Sequence, residues 1–285
     1  MTFHIRLATD KDVEACGAIC YTAFRTIALA HNFHPDFPDP EAAEGLIRMA
    51  IGHPDVYAVV AETGGRVIGS NFLWEQSSIA GVGPITIDPQ VQNQGVGQRL
   101  MQSVFDRSVE TARAGVRLVQ AAYHGRSLSL YAKLGFDARE PLANLQGTPI
   151  RKSISGHVVR QATKQDLESC NSICKAVHGH DRSGEVLDAI GQGIASVVER
   201  DGRISGYTTC VGFFGHAVGE ANSDIMALIA AAPAFAGPGL LVPTRNSDLL
   251  RWCLQEGLRV MQPMTLMSRG YYVEPRGAFL PSILF

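Results

Sequence analysis

The stretch GPITIDPQVQNQGVGQRLMQSVFDRS, from Gly83 to Ser108, decides the fold of this chain. Its β-branched start predicts a strand, Asp88-Pro89 ends that strand, and a polar glycine loop leads into a helix with apolar periodicity. The loop from Gln92 to Gln98 holds two glycines one residue apart. Glycine lets backbone approach a ligand closely, and free N–H groups at a helix N-terminus favour anions. The stretch therefore predicts an anion cradle made of main chain.

Two common phosphate-binding motifs do not fit this loop. It contains no lysine and does not end in GK[ST], which argues against a nucleoside triphosphate P-loop. A full GxGxxG is also absent, which weakens a dinucleotide interpretation. The pyrophosphate of another cofactor fits the loop better.

Two motifs, in the right order, carry a resemblance to the GNAT acetyltransferase superfamily. QNQGVG at Gln92–Gly97 resembles the QxxGxG signature by which that superfamily holds the pyrophosphate of acetyl-coenzyme A. HGRSLSLYAKLGF at His124–Phe136 resembles the family pattern NxxAxxLYxxxGF, and Tyr131 falls on its tyrosine. The chain departs from that pattern at His124, where the family usually has Asn, and at Ser127, where it usually has Ala.

The resemblance implies an α+β (α/β) fold, with a mixed, mostly antiparallel central sheet flanked by helices. It implies an acetyl-CoA-dependent N-acetyltransferase in which an amine attacks the thioester directly. Tyr131 would then protonate the departing thiolate, and the main-chain N–H of Ile87 would bond the thioester carbonyl. The residues expected to contact acetyl-CoA are Ile85, Ile87, Gln92, Asn93, Gln94, Gly95, Val96, Gly97, Gln98, His124, Ser127 and Tyr131.

The general base stays open between three residues. Glu75, Asp88 and His124 each follow or end a predicted strand, where a side chain could take a proton directly or through water. Asp88 is the weakest candidate, because Asp before Pro is already a sufficient turn signal. His124 occupies the family Asn position and is also a candidate contact for coenzyme A.

Composition limits the class of protein. The chain has 285 residues, long enough for two domains, with 25 basic and 27 acidic side chains and a formal charge of -2. This balance gives no support to nucleic-acid binding. The N-terminus lacks the basic and apolar regions of a signal peptide, so we expect a cytoplasmic protein. Six sparse cysteines predict reduced, buried thiols.

An internal repeat divides the chain. IRLATDKDVEACGAIC at Ile5–Cys20 matches VRQATKQDLESCNSIC at Val159–Cys174 at a constant offset of 154 residues. A Gly-Arg hairpin recurs at an offset of 137, and the motif beginning at His124 recurs at Asn246, an offset of 122. The repeat predicts tandem GNAT-like domains at 1–147 and 157–285, joined by a linker within Asn144–Gly156.

The second copy lacks the cofactor motif. No QxxGxG survives in it, and Glu220 and Asp224 near the predicted helix start would repel a pyrophosphate. Cys253 stands where the first copy has Tyr131. We therefore predict a degenerate second domain, kept for shape or substrate contacts.

Three further segments test other classes of function. The uncharged run Ile225–Val242 is interrupted by Pro and Gly, which predicts a buried helix, a turn and a buried strand rather than a membrane span. His178-Gly-His180-Asp181 resembles a metal cluster but is predicted to be a polar loop, so no metal is expected. The chain ends in a predicted strand at Met264–Met267 and an apolar tail that would dock on the body or on another subunit.

The acceptor is left open by the sequence. Two domains facing a cleft favour a small-molecule amine over a protein, and a homodimer is also allowed by the apolar tail. Two other functions stay in play: an acyl-coenzyme A sensor without transfer, and transfer of a longer acyl group.

Overall fold

A computed structural model describes residues 2–284 of the chain, and its contacts divide them into two compact units. The first unit holds the residues up to Glu75, then Ile79–Val116 and Leu284. The second unit holds Gln76–Ser78 and Arg117–Ile283. Strands and helices alternate irregularly in both, so the predicted α+β class is confirmed.

In the first unit the elements run in the order strand, two helices, hairpin and glycine-loop helix. They are β1 (His4–Leu7), α1 (Val13–Ala30), α2 (Pro40–Gly52), β2 (Val56–Thr63), β3 (Arg66–Trp74), β4 (Ile79–Val82), β5 (Thr86–Ile87) and α3 (Val96–Glu110).

The strands of the first unit form an antiparallel sheet in the order β1-β2-β3-β4, and the short β5 also pairs with β3. The β2–β3 hairpin turns through Gly64 and Gly65, whose φ angles are 56° and 77°. A two-residue turn of this kind needs positive φ at both central positions, which glycine allows without strain. The turn therefore fixes the register of the two longest strands.

The core of the first unit lies where α1 and α2 cover this sheet. Cys16 and Cys20, one helical turn apart on α1, are fully buried and pack in one cluster with Ile47 of α2 and Phe72 of β3. Their thiols are free, and burial raises the pKa of the Cys16 thiol to about 12. The prediction of reduced, buried core thiols is confirmed here.

The second unit begins within β6 and contains the rest of the chain. Its elements are β6 (Gly115–Ala121), α4 (Gly125–Lys133), β7 (Asp137–Gln146), β8 (His157–Gln161), α5 (Leu167–His178), α6 (Ser183–Gly191), β9 (Ser196–Arg200), β10 (Arg203–Thr208), β11 (Ala217–Gly219), α7 (Asn222–Ala231), β12 (Leu240–Pro243), α8 (Ser247–Gln255), β13 (Arg259–Gly270) and β14 (Ala278–Leu280).

The strands of the second unit form two groups. One is an antiparallel sheet in the order β14-β11-β10-β9-β8. In the other, the order is β6-β13-β7-β12, and β7 pairs antiparallel with both β13 and β12. Leu142 of β7, for example, lies between Met264 of β13 and Pro243 of β12.

This order interleaves the two sequence copies. The strand β7 belongs to the first copy, yet both of its neighbours, β12 and β13, belong to the second. Likewise β13 lies between β6 and β7 of the first copy. The boundaries 1–147 and 157–285 stay a prediction, since the compact units follow the contacts of these exchanged strands rather than the repeat.

The repeat itself is visible in matching ion clusters at the start of each copy. In both copies, an arginine on the first strand bonds two carboxylates. One belongs to an aspartate three residues after the threonine that the copies share, and the other to a glutamate on the hairpin. The arginine–aspartate bonds are 2.8 Å in both copies, and the arginine–glutamate bonds are 2.7 Å. The two sets are Arg6, Asp12 and Glu62, and Arg160, Asp166 and Glu199. The second hairpin also turns through two residues of positive φ, Asp201 and Gly202.

Several sequence predictions are resolved by these elements. The run Ile225–Val242 is the buried part of α7, a turn and the start of β12, as predicted. The predicted linker begins too early, because Asn144, Leu145 and Gln146 pair within β7, and the irregular segment starts after them. Met264–Met267 lies in β13, as predicted, and in the tail Ile283 donates to the carbonyl of Phe213. The final residue, Phe285, lies outside the described residues.

One helix among the described residues, Asp10–Ala30, is long and apolar enough to cross a membrane by length and composition alone. A core helix of a folded domain passes the same test, and this helix contributes Cys16 and Cys20 to the core of the first unit.

Candidate active site

The glycine loop joins β5 to α3, as the sequence predicts. A short 3-10 turn at Pro89–Val91 follows β5, and α3 begins at Val96. Gly95 adopts the left-handed conformation with φ of 82°, and Asn93 has φ of 65°. Val96 is buried and anchors the helix start, while Asn93, Gln94 and Gly95 are exposed. The backbone of the loop is therefore fixed at one end and open to solvent along its length.

The N-terminus of α3 offers main-chain donors. The first amide bonded within the turn is that of Arg99, which donates to the carbonyl of Gly95 at 3.1 Å. The preceding helical amides, 96 to 98, precede any intrahelical acceptor. The first turn has no acidic side chain, and a Cβ at Gly95 would meet no atom within 4 Å. These features make the helix start suitable for an anion.

One main-chain N–H of β5, the strand before the glycine loop, points away from the neighbouring strand β3. Asp88 donates its N–H to the carbonyl of Ile68 at 3.0 Å, and Thr86 lies opposite Ser70 of β3. Successive amides of a strand point to opposite edges. The N–H of Ile87 consequently points away from β3, as required of a donor to a ligand. Ile85 lies in the irregular segment between β4 and β5.

In the second unit, His124 caps α4. Its Nδ1 accepts the N–H of Ser127 at 3.1 Å. In the second copy Asn246 does the same for the N–H of Leu249, at 3.3 Å. An acceptor at this position satisfies a helix N–H, which explains how His replaces the family Asn. Because Nδ1 accepts, the proton of the neutral ring lies on Nε2.

Tyr131 lies one turn after Ser127 on α4 and is buried. Burial raises the pKa of its phenol to about 12, and a hydrogen bond from the Ser127 hydroxyl partly opposes that rise. The ring packs edge-on against Phe136, with centroids 5.9 Å apart. Tyr131 is therefore a phenol that stays protonated at neutral pH. The Ser127–Tyr131 bond was not predicted, although the spacing of four residues on a helix was a signal for it.

Glu75, at the end of β3 in the first unit, is held in an ion cluster. Its Oε2 accepts from Arg107 at 3.0 Å and its Oε1 accepts from Thr111 at 2.8 Å. Its side chain is only 8% exposed. Both partners lie at the C-terminal end of α3 or just after it, at the opposite end of the helix from the glycine loop. Asp88 bonds the N–H of Gln90 at 3.0 Å and Arg66 at 3.2 Å.

The predicted site residues thus lie in two groups. The first group lies in the first unit and consists of Ile85, Ile87 and the loop from Gln92 to Gln98. The side-chain amide of Gln92 donates to the carbonyl of Ile87 at 3.4 Å. His124, Ser127 and Tyr131 share α4 in the second unit. Glu75 belongs to neither group. Its partners Arg107 and Thr111 lie at the end of α3 opposite the glycine loop.

The helix start of the second copy has a different partner. At α7, the buried carboxylate of Asp224 accepts the N–H of Ala221 at 2.8 Å. Arg200 and Ser205 donate to the same carboxylate, at 3.0 and 2.7 Å. A carboxylate of the chain itself therefore lies at the start of α7, bonded to the amide before the helix and to two side chains.

Histidines near the end of α5 differ from expectation. His178 and His180 are buried, 7% and 6% exposed, so the prediction of a polar loop is wrong for these two side chains. Among residues 2–284 no group of three or more His, Cys, Asp and Glu side chains could hold a metal ion.

Comparison with known proteins agrees with this arrangement. Residues 54–138 match the model of the acetyltransferase (GNAT) domain. Two solved structures match nearly the full length. One, an acetyltransferase candidate from Pyrococcus horikoshii, is 19% identical, with 97% of this chain and 94% of that chain covered and a TM-score of 0.71. The other, a GCN5-related N-acetyltransferase from Sphaerobacter thermophilus, is 14% identical, with 95% and 96% covered and a TM-score of 0.60.

At these identities the two structures share the fold with this chain. A search of curated proteins finds no match. The domain match spans β3, the glycine loop, α3 and α4, which are the elements that carry the two sequence motifs. Residues 54–138, which hold both sequence motifs, therefore match an acetyltransferase (GNAT) domain.

Proposed function

We propose that this protein transfers the acetyl group of acetyl-CoA to the amine of a small molecule by direct attack. The observation that carries the proposal is the start of α3, where an exposed loop with a left-handed Gly95 leads to helix amides without acidic neighbours. A hydrogen bond to a charged group contributes about 1.5 to 3 kcal/mol. A few of these amides would therefore hold a pyrophosphate.

The chemistry follows from three groups. The amine nitrogen attacks the thioester carbon, and the carbonyl oxygen that becomes negative takes a hydrogen bond from the N–H of Ile87. The C–S bond then breaks, and the sulfur takes the proton of Tyr131. The pKa of Tyr131, raised to about 12 by burial, supports this role because the phenol keeps its proton at neutral pH until a thiolate is formed.

The contacts of the candidate bases favour a reaction without a dedicated protein base. Both carboxylate oxygens of Glu75 accept hydrogen bonds from Arg107 and Thr111. His124 accepts on Nδ1 and carries its proton on Nε2, which suits donation to coenzyme A rather than proton removal. We infer that the acceptor enters as the free amine or loses its proton to water.

The second copy has a supporting role in this proposal. The N-terminus of α7 is bonded by Asp224, and Arg203 pairs with Glu220 beside it at 2.6 Å. These carboxylates argue against a second pyrophosphate there. The degenerate second domain, the cytoplasmic location and the homodimer stay predictions from the sequence.

The test is release of free thiol from acetyl-CoA across amino acids, polyamines, aryl amines, aminoglycosides and peptides, with mass spectrometry of each product. We expect at least one small amine to gain a single acetyl group. Tyr131→Phe should lower kcat by about 10²-fold or more while the Kd for acetyl-CoA changes little, because the phenol acts on the leaving group.

Tyr57→Phe is the matched control. It removes a tyrosine hydroxyl that bonds Ser103 at 3.3 Å in the first unit, and it should leave kcat unchanged. Equal loss of kcat and of cofactor affinity in Tyr131→Phe would argue for a structural tyrosine. Tight acetyl-CoA binding with no acceptor in the panel would favour a sensor, and turnover only with longer thioesters would favour a different acyl donor.

A further inference from the structure

Three residues of the first sequence copy belong to the second unit. Gln76, Ser77 and Ser78 lie between β3 and β4, yet they group with the second unit while both strands group with the first. A loop that joins two strands usually lies exposed at the surface. Ser77 is only 6% exposed, so this loop has partners of its own.

The partners of the loop lie on α6 of the second copy. The side-chain amide of Gln76 donates to the carboxylate of Asp188, and the hydroxyl of Ser77 donates to Oε1 of Glu185 at 3.2 Å. The two carboxylates share one side of α6, since residues three apart on a helix are neighbours. Gly184 lets the loop approach the helix, because a Cβ there would collide with the carbonyl oxygen of Gln76. The loop is therefore bonded to α6 through two side chains and packs closely against its backbone.

The acceptor of the Ser77 hydroxyl is itself fixed by residues of the second copy. Glu185 accepts from the Nε of Arg182 at 2.9 Å and lies 3.4 Å from the Nδ1 of His216. The Nε2 of His216 lies 3.0 Å from the hydroxyl of Tyr207, and both of these side chains are buried. Burial opposes the ionisation of Glu185, but the charge of Arg182 and the hydrogen bond with His216 outweigh it and lower the pKa of Glu185 to about 2. Ser77 therefore bonds a carboxylate that is ionised and held in one position.

The loop leads into β4 and from there to the proposed donor for the thioester carbonyl. Ile79, the first residue of β4, is buried. Just after β4, the N–H of Gly83 donates to the carbonyl of Phe72 at 2.9 Å, and the indole of Trp74 donates to the carbonyl of Gly83 at 2.7 Å. Ile87 follows four residues later. Because a short, packed strand transmits strain along its length, a shift at the start of β4 would reach the segment that carries the N–H of Ile87.

We propose that α6 of the second copy positions residues 85–87 by holding the loop that precedes β4. Gln76 and Ser77 are the positioning residues, and they act through β4 rather than on a substrate. Their effect on turnover rests on the acetyl transfer proposed above, whereas their effect on the backbone can be measured without it. The second copy thereby contributes to the reaction through the loop rather than through a cofactor site of its own.

Hydrogen–deuterium exchange of the full chain measures the backbone effect. Gln76→Glu places a second carboxylate against Asp188, which should release the loop and raise the exchange rate of residues 79–87 about tenfold. Adding Asp188→Asn exchanges donor and acceptor, restores the bond and should return exchange to the native rate. Exchange in α1 and β10 should stay unchanged. A rise in those elements as well, or a rise that Asp188→Asn does not reverse, would overturn the proposal.

Kinetics of the same variants separate turnover from cofactor binding. Gln76→Glu should lower kcat about tenfold and leave the Kd for acetyl-CoA within about twofold, because the glycine loop is untouched. Adding Asp188→Asn should recover kcat. In an active chain, raised exchange with an unchanged kcat would overturn the positioning role. If the native chain acetylates no amine, the proposed function fails, and the exchange rates still decide whether α6 positions the backbone.

The matched control is Gln102→Glu, alone and with Asp106→Asn. It changes the same kind of bond, 2.7 Å long, on the exposed face of α3, and it should alter neither the exchange of residues 79–87 nor kcat. Ser77→Ala serves if Gln76→Glu does not fold, since it removes only a hydroxyl and should raise exchange of the same residues about threefold. Unchanged exchange in Ser77→Ala would then overturn the proposal, as would unchanged exchange in a folded Gln76→Glu chain.

Discussion

His124, Ser127 and Tyr131 lie along the first two turns of α4 and are joined by hydrogen bonds. The family resemblance predicted the role of Tyr131 and flagged the other two as departures. The structure explains those departures: His124 supplies the cap acceptor that Asn246 supplies in the second copy, and Ser127 bonds the tyrosine hydroxyl. Sequence alone did not reveal these roles, because capping and side-chain contacts depend on the rotamers within α4.

Glu75 illustrates the opposite case: it lies where a general base was expected, but its carboxylate is hydrogen-bonded to other side chains. Its position after β3 suggested a base, but nothing in the local pattern indicated Arg107 or Thr111, which lie more than thirty residues away. Glu75→Gln should therefore lower the free energy of unfolding by about 1 to 3 kcal/mol, measured by urea denaturation.

The same variant should keep kcat/KM within about threefold of the native value, and its profile should rise with pH until the acceptor amine is deprotonated. Glu44→Gln, at an exposed pair with Arg48 on α2, is the control and should change stability little. A collapse of kcat in a folded Glu75→Gln protein would restore Glu75 as the base.

Asp12 and Asp166 make stability depend on acid in both copies. The hydrogen bonds from Arg6 hold the pKa of Asp12 at about 2, and those from Arg160 hold the pKa of Asp166 far below its usual range. In the unfolded chain such a carboxyl titrates at about pH 4. Ionisation therefore stabilises the folded state fully above that pH, and this stabilisation is lost as the pH falls toward 2.

Asp12→Asn or Asp166→Asn should therefore be less stable than the native chain at neutral pH, and the difference should shrink between about pH 4 and 2. Urea midpoints across this range measure it. Asp10→Asn, on the exposed neighbour of the first cluster, should follow the native curve. A difference that stays constant with pH would show that ionisation of these carboxylates is not the cause.

At the scale of elements, the glycine before α3 can be compared with a glycine in the first hairpin. The comparison separates the backbone strain of a substitution from its effect on ligand binding. Gly95 and Gly65 both have φ near 80°, at 82° and 77°, and a Cβ at either would meet no atom within 4 Å. Gly95→Ala and Gly65→Ala should therefore each lower stability by about 1 kcal/mol.

Only Gly95→Ala should also raise the KM for acetyl-CoA, because its Cβ would project where the pyrophosphate is proposed to bind. Steady-state kinetics at saturating acceptor and thermal melting of both variants provide the comparison. Equal KM values in the two variants would mean that the loop does not hold the cofactor.

The elements near this loop were also the most predictable. Strand, loop and helix from Gly83 to Ser108, the two hairpins and the repeated capped helices follow from local signals in glycine, proline and apolar spacing. The pairing of β7 with β12 and β13 did not, because partner strands more than ninety residues apart leave no mark in local periodicity. The burial of His178 and His180 also depends on packing between distant parts of the chain, so the local sequence pattern did not predict it.

At the scale of the whole molecule, the interleaved strands predict that the copies cannot be separated. Residues 148–285 contain β12 and β13 but lack β7, which lies between them. Expressed alone, this fragment should be insoluble or lack a cooperative unfolding transition. Produced together with residues 1–147, it should form a soluble complex that elutes at the size of the intact chain.

A fragment 148–285 that folds by itself, with native-like circular dichroism and a sharp transition, would contradict this expectation. The control is the intact chain cut at a single protease site placed in the irregular segment after Gln146, which should remain folded because every strand is still present.

The exchange of strands also bears on the history of the chain. A tandem duplication can normally be undone by deletion of one copy, and an idle copy drifts until it is lost. Here each copy supplies a central strand to a sheet of the other, so deletion would expose unpaired strand edges in the copy that remained. Either copy alone would thus lack strands that its sheet needs, so the loss of one copy would also destabilise the other.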